Sequence, residues 1–383
     1  TVLEEECMKR SRVALLALVL FAGSSGLQAE SLRDIYELAL LNDAQLKAEE
    51  AQYRANLETE NLGRSGLLPQ VQGNYSYTDV DQDSDALFRD FTDPDLPIID
   101  SRTKVKTDQE GFEVSLRQPL FDLPAWFTFQ SGKEISKQAE ATFAANQQNL
   151  IVRVVEAYLA VLRAQDNLRA SMAQERAFER QLEQTQQRFE VGLIAITDVY
   201  EAQAARDLSQ VNRIVDENSV SVALERLSVL TGQRHSNINR LKEDFDIRLP
   251  EPNDRSAWVD FALENNFNLK AATYAEEAAR QAAKANKMEH APTISGSYAY
   301  SDYDTDGTLK RDPTTGLEIP PESTVELSTW QLRLDLPLYA GGAISANRRK
   351  AAQEFNAARE QRINLTRNTV TTARSLHMTV VSD

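Results

Sequence analysis

The sequence predicts a mainly α-helical protein with a small β part. Three observations support this fold class: a helical pattern without proline over residues 125–191, a two-residue alternation of apolar and polar side chains in four short segments, and an internal repeat. A helix of some 66 residues would be a rod of roughly 100 Å. Such helices are typical of coiled coils, so we expect long antiparallel helices that continue into a few strands.

Composition and charge fit elongated helices. Apolar residues make up 42% of the chain, charged residues 26% and aromatic residues 7%, so core burial must come from helix seams. The net charge of −16, from 58 acidic and 42 basic residues, argues against nucleic-acid binding, because a phosphate backbone needs a basic protein face. We expect most of this charge to form a solvated acidic surface.

An export signal is predicted at the N-terminus. A basic start and a ten-residue apolar run over residues 8–22 precede a small-residue stretch that ends at Ala29, which is suited to cleavage before Glu30. The apolar run is too short to span a bilayer. Residues 1–29 are therefore expected to be upstream residues and a removed signal peptide. Cys7, the single cysteine, lies among them, so the mature chain would contain no thiol.

A first structural repeat is expected over residues 30–235. It opens with two helices, of which the first has a Ser-x-x-Asp start and the second is stopped at Pro69. Strands are predicted at about residues 71–79 and 111–120, and a polar, acidic loop is expected between them. Pro119 marks the return to helix.

A long helical hairpin is predicted over about residues 125–231. Gly192 is placed to end its first helix, because glycine tolerates the left-handed conformation that closes a helix. Thr197 and Asp198 are expected to supply N-cap oxygens to the second helix, with Glu201 completing a capping box. Apolar residues spaced by three and four are expected to form one seam: Val154, Tyr158, Val161, Leu168, Met172, Leu182 and Phe189.

The chain repeats itself after a linker predicted at residues 236–255. Identical residues lie 223 positions apart, as in the pairs Pro69 and Pro292, Gly73 and Gly296, Tyr75 and Tyr298, and Tyr77 and Tyr300. The second repeat is expected over residues 256–383, with strands at about 293–302 and 328–339 and a second Pro-Leu junction at Pro337.

The second repeat is expected to be incomplete. A counterpart of Gly192 would fall beyond Asp383, so the second hairpin would lack its tip and its return helix. We therefore expect the chain to be truncated at its C-terminus, an interpretation that the start at Thr1 also favours.

The four predicted strands are typical of membrane contact. Each has one apolar and one polar face and about ten residues, the length that crosses a bilayer when tilted. Tyr and Trp cluster near their ends, as at a membrane interface. Four strands cannot close a barrel, and open strand edges are not tolerated in lipid, so closure would need more than one chain. Sheet packing in a soluble protein is the competing interpretation of the same aromatic residues.

The chain resembles the TolC family of outer-membrane efflux proteins. The resemblance rests on the export signal, the repeat, the Leu-Pro and Pro-Leu junctions, and above all Arg188-Phe189-x-Val191-Gly192-Leu193 followed by Thr197-Asp198-Val199. It implies a homotrimer with twelve strands in one transmembrane β-barrel and with long helices in a periplasmic α-barrel. It also implies a passive exit duct of efflux or type I secretion systems, supplied by inner-membrane pumps through a periplasmic adaptor, or membrane fusion protein.

The same resemblance implies two functional sites on the hairpin. Val191, Gly192 and Leu193 would lie where the adaptor docks, and Thr197 and Asp198 would lie near the periplasmic gate. From the residues alone, a purely structural helix cap is the favoured explanation, because a glycine followed by Thr-Asp would close any helical hairpin, and it is the resemblance that favours docking and gating.

Other function classes find less support. The three histidines, His235, His290 and His377, are scattered, and no glycine-rich phosphate loop or paired-histidine motif is present. We therefore expect no enzyme activity, no cofactor and no metal. The alternative from another class is a soluble periplasmic coiled-coil adaptor, whose weakness is the four amphipathic strands.

Overall fold

The structure is a computed structural model that describes residues 30–89, 98–242, 250–311, 318–319 and 322–382. The predicted signal peptide and Cys7 lie outside the described residues, as does part of the predicted linker. Helices and strands follow one another in the order α1 (Leu32–Asn42), α2 (Ala44–Ser65), β1 (Gln70–Arg89), β2 (Ile98–Phe121), α3 (Leu123–Glu190), α4 (Ile196–Thr231), α5 (Arg255–Asn265), α6 (Phe267–Met288), β3 (Thr293–Arg311), β4 (Glu318–Ile319), β5 (Ser323–Asp335) and α7 (Ala343–Ser382).

The same succession of elements occurs twice along the chain. The pair α1 and α2 has 11 and 22 residues, and so does the pair α5 and α6. Each pair is followed by a hairpin of strands and then by a long helix, α3 with 68 residues and α7 with 40. The period of the predicted sequence repeat is therefore also the period of the folded elements.

The chain divides into two compact units. What we call the helical unit consists of the described residues of Thr1–Tyr53, Thr142–Asp260 and Ala373–Asp383. The sheet unit consists of the described residues of Arg54–Ala141 and Phe261–Thr372, and the five strands that the structure describes all lie in it.

A continuous apolar core holds the helical unit together. It joins α1, α3 and α4, and its fully buried side chains include Ile35, Leu150, Val154, Val161 and Leu227. Tyr158 belongs to the same core, and its hydroxyl donates to the Asn239 carbonyl at 2.5 Å. Burial raises the pKa of this phenol.

The seam predicted along α3 is confirmed only in part. Its first three residues belong to the core, whereas Met172 and Phe189, nearer the end of α3, are exposed. The spacing rule identified a continuous stripe, but α4 covers that stripe incompletely. Polar contacts join the two helices here, as in the ion pair of 2.8 Å between Arg213 and Glu175.

The start of α1 has the predicted capping box. The backbone N–H of Asp34 donates to the Ser31 hydroxyl at 3.3 Å, and the Ser31 N–H donates to the Asp34 carboxylate at 2.9 Å. The hydrogen bonds from the Ser31 side chain and backbone lower the pKa of Asp34.

The sheet is antiparallel, with the strand order β1, β2, β3 and β5, and the two-residue β4 also pairs with β3. Tyr75 lies opposite Phe112 and Tyr298 lies opposite Trp330. Residues directly opposite one another share a face of the sheet. The register therefore places the four predicted apolar sets on one surface, here called the apolar face.

The prediction of an acidic loop between the first two strands is wrong. β1 continues to Arg89 and β2 begins at Ile98, so most of residues 79–109 is paired strand. Opposite charges stabilise this extension, since Lys106 pairs with Asp81 at 2.9 Å and Lys104 with Asp83 at 3.4 Å. The charged residues alternate, but both faces are polar there, so no apolar period reveals the strand.

The predicted strand lengths need the same correction. β1, β2, β3 and β5 have 20, 24, 19 and 13 residues instead of about ten. The segment Asp302 to Asp306, which begins where the strand predicted at about 293–302 ends, also belongs to β3. The predicted boundaries therefore marked the apolar part of each strand, because only that part has two chemically different faces.

Candidate functional site

The tip of the helical hairpin closes with a glycine in the left-handed conformation, as predicted. Gly192 has a φ of 74°, its N–H donates to the Phe189 carbonyl at 2.8 Å, and the Leu193 N–H donates to the Arg188 carbonyl at 2.9 Å. These two hydrogen bonds are those of a Schellman motif, which satisfies carbonyls at the end of α3. A five-residue connection, 191–195, is thereby fixed without any buried side chain.

The predicted cap of the second hairpin helix is wrong. α4 begins at Ile196, its N-cap is Ala195, and no side chain makes a cap hydrogen bond. Thr197 and Asp198 lie inside the first turn, where both are exposed. The N-cap position is occupied by Ala195, which has no side-chain oxygen, so neither Thr197 nor Asp198 stands where a Ser, Thr or Asp side chain accepts from the first N–H groups of a helix.

The tip presents apolar side chains to solvent. Val191 is 71% exposed and Leu193 is 69% exposed, whereas Val199, one turn into α4, is buried. Two exposed apolar residues that flank a fixed turn can be covered by a partner protein at little conformational cost. Asp198 forms no ion pair with any residue that the structure describes, so its carboxylate is available to a partner.

A second candidate surface is the apolar face of the sheet. Val71, Tyr75, Trp330 and Leu332 are each at least 70% exposed, although they belong to the most apolar parts of the strands. The opposite face carries Gln, Asn, Ser and Thr side chains, and we call it the polar face. This division matches a wall that has hydrocarbon on one side and water on the other.

The four predicted junction prolines lie at or near strand ends. Pro69 and Pro292 directly precede β1 and β3, and Pro337 follows β5 by two residues. Pro119 lies inside β2, next to an irregularity in the register with β3. Proline cannot donate to a strand ladder, so each position is one where pairing begins, ends or is disturbed.

One exposed surface was missed at the sequence level. Along α4, apolar residues at spacings of three, four or seven face away from the core, and they are Leu208, Val211, Val215, Val222 and Val229. Their heptad spacing was visible in the sequence, but the spacing alone does not say whether a stripe is covered by its own chain.

The described residues hold neither a metal cluster nor a membrane-spanning helix. No group of three or more His, Cys, Asp or Glu side chains is placed to hold a metal ion in these parts of the chain. None of the described helices has both the length and the apolar character needed to cross a membrane. His235 is buried, and its two ring nitrogens contact the Thr231 hydroxyl and the Glu30 carboxylate. These contacts fit a structural role for this histidine within the fold.

Comparison with known proteins identifies the family. The family model described as outer membrane efflux protein matches residues 35–233 and 258–376, which is most of the chain. The chain belongs to the outer membrane efflux protein family. The match falls on both repeats and confirms the resemblance proposed from the tip and the strands.

Curated relatives agree with this assignment. The chain is 32% identical over 355 residues to the outer membrane protein TolC of Vibrio cholerae, covering 92% of this chain and 74% of that protein. It is 30% identical over 367 residues to the protease secretion protein PrtF of Dickeya chrysanthemi, covering 94% and 75%.

A solved structure supports the fold. The channel protein CusC superimposes with a TM-score of 0.68 at 13% identity, covering 93% of this chain and 79% of that one. The mainly helical fold with a small antiparallel sheet is thus shared with outer-membrane channels of the same class. These findings confirm the prediction of an outer-membrane efflux channel and argue against the soluble adaptor.

Proposed function

We propose that several copies of this chain assemble into a passive exit duct for efflux or type I secretion. The observation that carries the proposal is the sheet, which exposes an apolar face and has an unpaired edge along β1 and along β5 among the described residues. In lipid, every unpaired backbone group costs several kcal/mol, so an open sheet of four long strands is not a stable spanning unit. Neighbouring copies would supply the missing edges.

Three copies give the twelve-stranded barrel that the sequence resemblance implies. With the apolar face toward lipid, the polar face would line a water-filled bore. The exposed stripe on α4 supports the same assembly, because a heptad stripe is a surface that other helices cover in coiled coils. The helices would then continue the bore as an α-barrel in the periplasm.

The hairpin tip is the proposed contact with the rest of the transport system. Val191, Gly192 and Leu193 would dock a periplasmic adaptor that brings an inner-membrane pump to the duct. Their support is a rigid turn with two apolar side chains of about 70% exposure. Thr197 and Asp198 would lie at the periplasmic gate, where the exposed carboxylate of Asp198 could be held by a basic partner.

Export would follow from the signal predicted over residues 1–29, with the helices in the periplasm and the sheet in the outer membrane of a Gram-negative cell. The transported compounds would be selected by the pump, because a shared duct has no need of a closed binding pocket.

Purified protein in planar lipid bilayers tests the assembly. We expect a trimer by light scattering in detergent and discrete conductance steps after reconstitution. A monomer that produces no conductance would overturn the proposed duct.

Site-specific photo-cross-linking tests the docking surface. A photoreactive residue at Leu193 should capture the adaptor in cells, whereas the same residue at Glu179, an exposed position on α3 away from the tip, should not. Equal capture at both positions would exclude a tip-specific contact.

The conductance of the reconstituted channel tests the gate. Asp198→Ala should raise this conductance, and an unchanged conductance would exclude a role of Asp198 in gating.

A further inference from the structure

The polar face of the sheet is nearly free of charge. Where the strands also carry the apolar face, its side chains are small or neutral: Gln72, Asn74, Ser76, Ser115, Ser295, Ser297, Ala299, Thr329 and Gln331. In this same part of the described strands, the charged members of the polar face are Glu113, Arg117, Arg333 and Asp335. A wall with so few charges makes each of them important to an ion that passes it.

Two of these four charges neutralise each other. The guanidinium of Arg333 donates from Nε to the Asp335 carboxylate at 2.9 Å, and both residues lie at the end of β5. Glu113 and Arg117 then remain as single charges of opposite sign on β2. They are four residues apart, which is about 14 Å along a strand.

Arg117 has no acidic neighbour on the adjoining strands. Gln70 of β1 and Ser297 of β3 lie directly opposite it. It is exposed and takes part in no ion pair with the described residues. Leu116, the residue before Arg117, belongs to the apolar face, whereas Gln118, the residue after it, is polar. Arg117 therefore lies at the end of the apolar part of β2 that leads toward α3.

We propose that Arg117 is a selectivity residue of the duct and forms, with its copies, a cationic ring that favours anionic solutes at the inner end of the membrane-spanning bore. The inference rests on the proposed assembly, in which the polar face is turned inward. A ring of arginines in a pore attracts anions and repels cations. The effect reaches across the bore when the Debye length is long, about 30 Å at 0.01 M salt.

Reversal potentials in a salt gradient test the proposal. The unchanged protein and Arg117→Gln are reconstituted in planar bilayers with potassium chloride at about 0.1 M on one side and 0.01 M on the other, where screening is weak. We expect the potassium-to-chloride permeability ratio to rise by about twofold or more in the variant, since a fixed positive charge near the path of the ions is lost. Glu113→Gln should change the ratio in the opposite direction.

Lys106→Gln is the matched control. Lys106 lies on the same strand and loses the same charge, but it is on the opposite face and pairs with Asp81. Its permeability ratio should equal that of the unchanged protein. A ratio that responds to Lys106 and not to Arg117 would mean that the polar face is turned outward.

A thiol variant keeps the test independent of the folding of Arg117→Gln. Arg117→Cys, in a Cys7→Ser background, carries one thiol, because the sequence contains one cysteine. Modification in the open channel by a cationic methanethiosulfonate should restore the original ratio, and an anionic reagent should favour potassium further. If the channels conduct but the potassium-to-chloride permeability ratio is the same with either reagent, the role of Arg117 is overturned and the proposed duct stands. If the unchanged protein forms no channels, both the proposed duct and the role of Arg117 are overturned.

Discussion

The core of the helical unit and the apolar face of the sheet use the same side chains in opposite ways. In the core, Leu150, Val154 and Leu227 are completely buried by helices of the same chain. On the sheet, Leu332 and Trp330 remain more than 70% exposed. An apolar period therefore indicates burial but not the medium that provides it, which is protein in the helical unit and, in the proposed duct, lipid at the sheet.

The largest expected effect tests the core. Leu227→Ala should lower the free energy of unfolding by about 2–5 kcal/mol, because it leaves a cavity where a side chain has no solvent exposure. Denaturant unfolding followed by circular dichroism measures the change. Leu193→Ala, at the exposed tip, is the control and should stay within about 0.5 kcal/mol. Equal losses at the two positions would mean that burial in the helical core does not determine the cost of removing a leucine side chain.

The next effect tests the sheet. Leu332→Arg should cost about 2–4 kcal/mol in lipid if the residue lies near the bilayer midplane. Gln331→Arg, on the other face of β5, should be tolerated because that face is polar. The measurement is the fraction of each protein that remains in outer membranes after alkaline extraction. Loss of both variants alike would mean that the two faces do not meet different media.

A smaller effect isolates the backbone where burial is absent. Gly192→Ala should destabilise the tip by about 1–2 kcal/mol, because a side chain is disfavoured at its positive φ even though open space surrounds it. Gly66→Ala is the matched control, since a Cβ there makes only ordinary contacts at 3.7 and 3.8 Å. Hydrogen exchange of the hairpin amides measures the loss of protection in each variant. Equal protection in both variants would mean that the positive φ of Gly192 does not determine the stability of the tip.

The smallest effect concerns the helix start beside the core. The pKa of Asp34 is lowered in the folded protein, so its contribution is fully present above the ordinary carboxyl pKa of 3.8 and is lost as the pH falls through the lowered value. Asp34→Asn should therefore be less stable than the unchanged protein at neutral pH and equally stable in strong acid. A stability difference that does not depend on pH would exclude the carboxylate as its source.

Much of the fold could be predicted because local chemistry fixes it. The absence of proline after the first turn of α3, the glycine at its end and the Ser-x-x-Asp start of α1 each act within one or two helical turns. The strands were found only where Tyr, Val and Leu alternate with polar residues. Their charged extensions were missed because Asp81 and Lys106 pair across strands, between residues distant in sequence.

The candidate site shows the same limit. Gly192 was placed correctly because its conformation is a local property, whereas Thr197 and Asp198 were wrongly given a capping role because the start of α4 depends on how the turn closes. Their proposed roles in docking and gating come from the family resemblance, and the predicted repeat boundaries stay a prediction.

By itself the sequence determined the helices, the doubled order of elements, the apolar period of the strands and the family. Only the tertiary structure decided which stripe of α4 stays uncovered, how far the strands extend and that four apolar sets share one face. The physical reason is that helix caps and periods depend on neighbouring residues, whereas coverage and register depend on contacts between segments far apart in the chain.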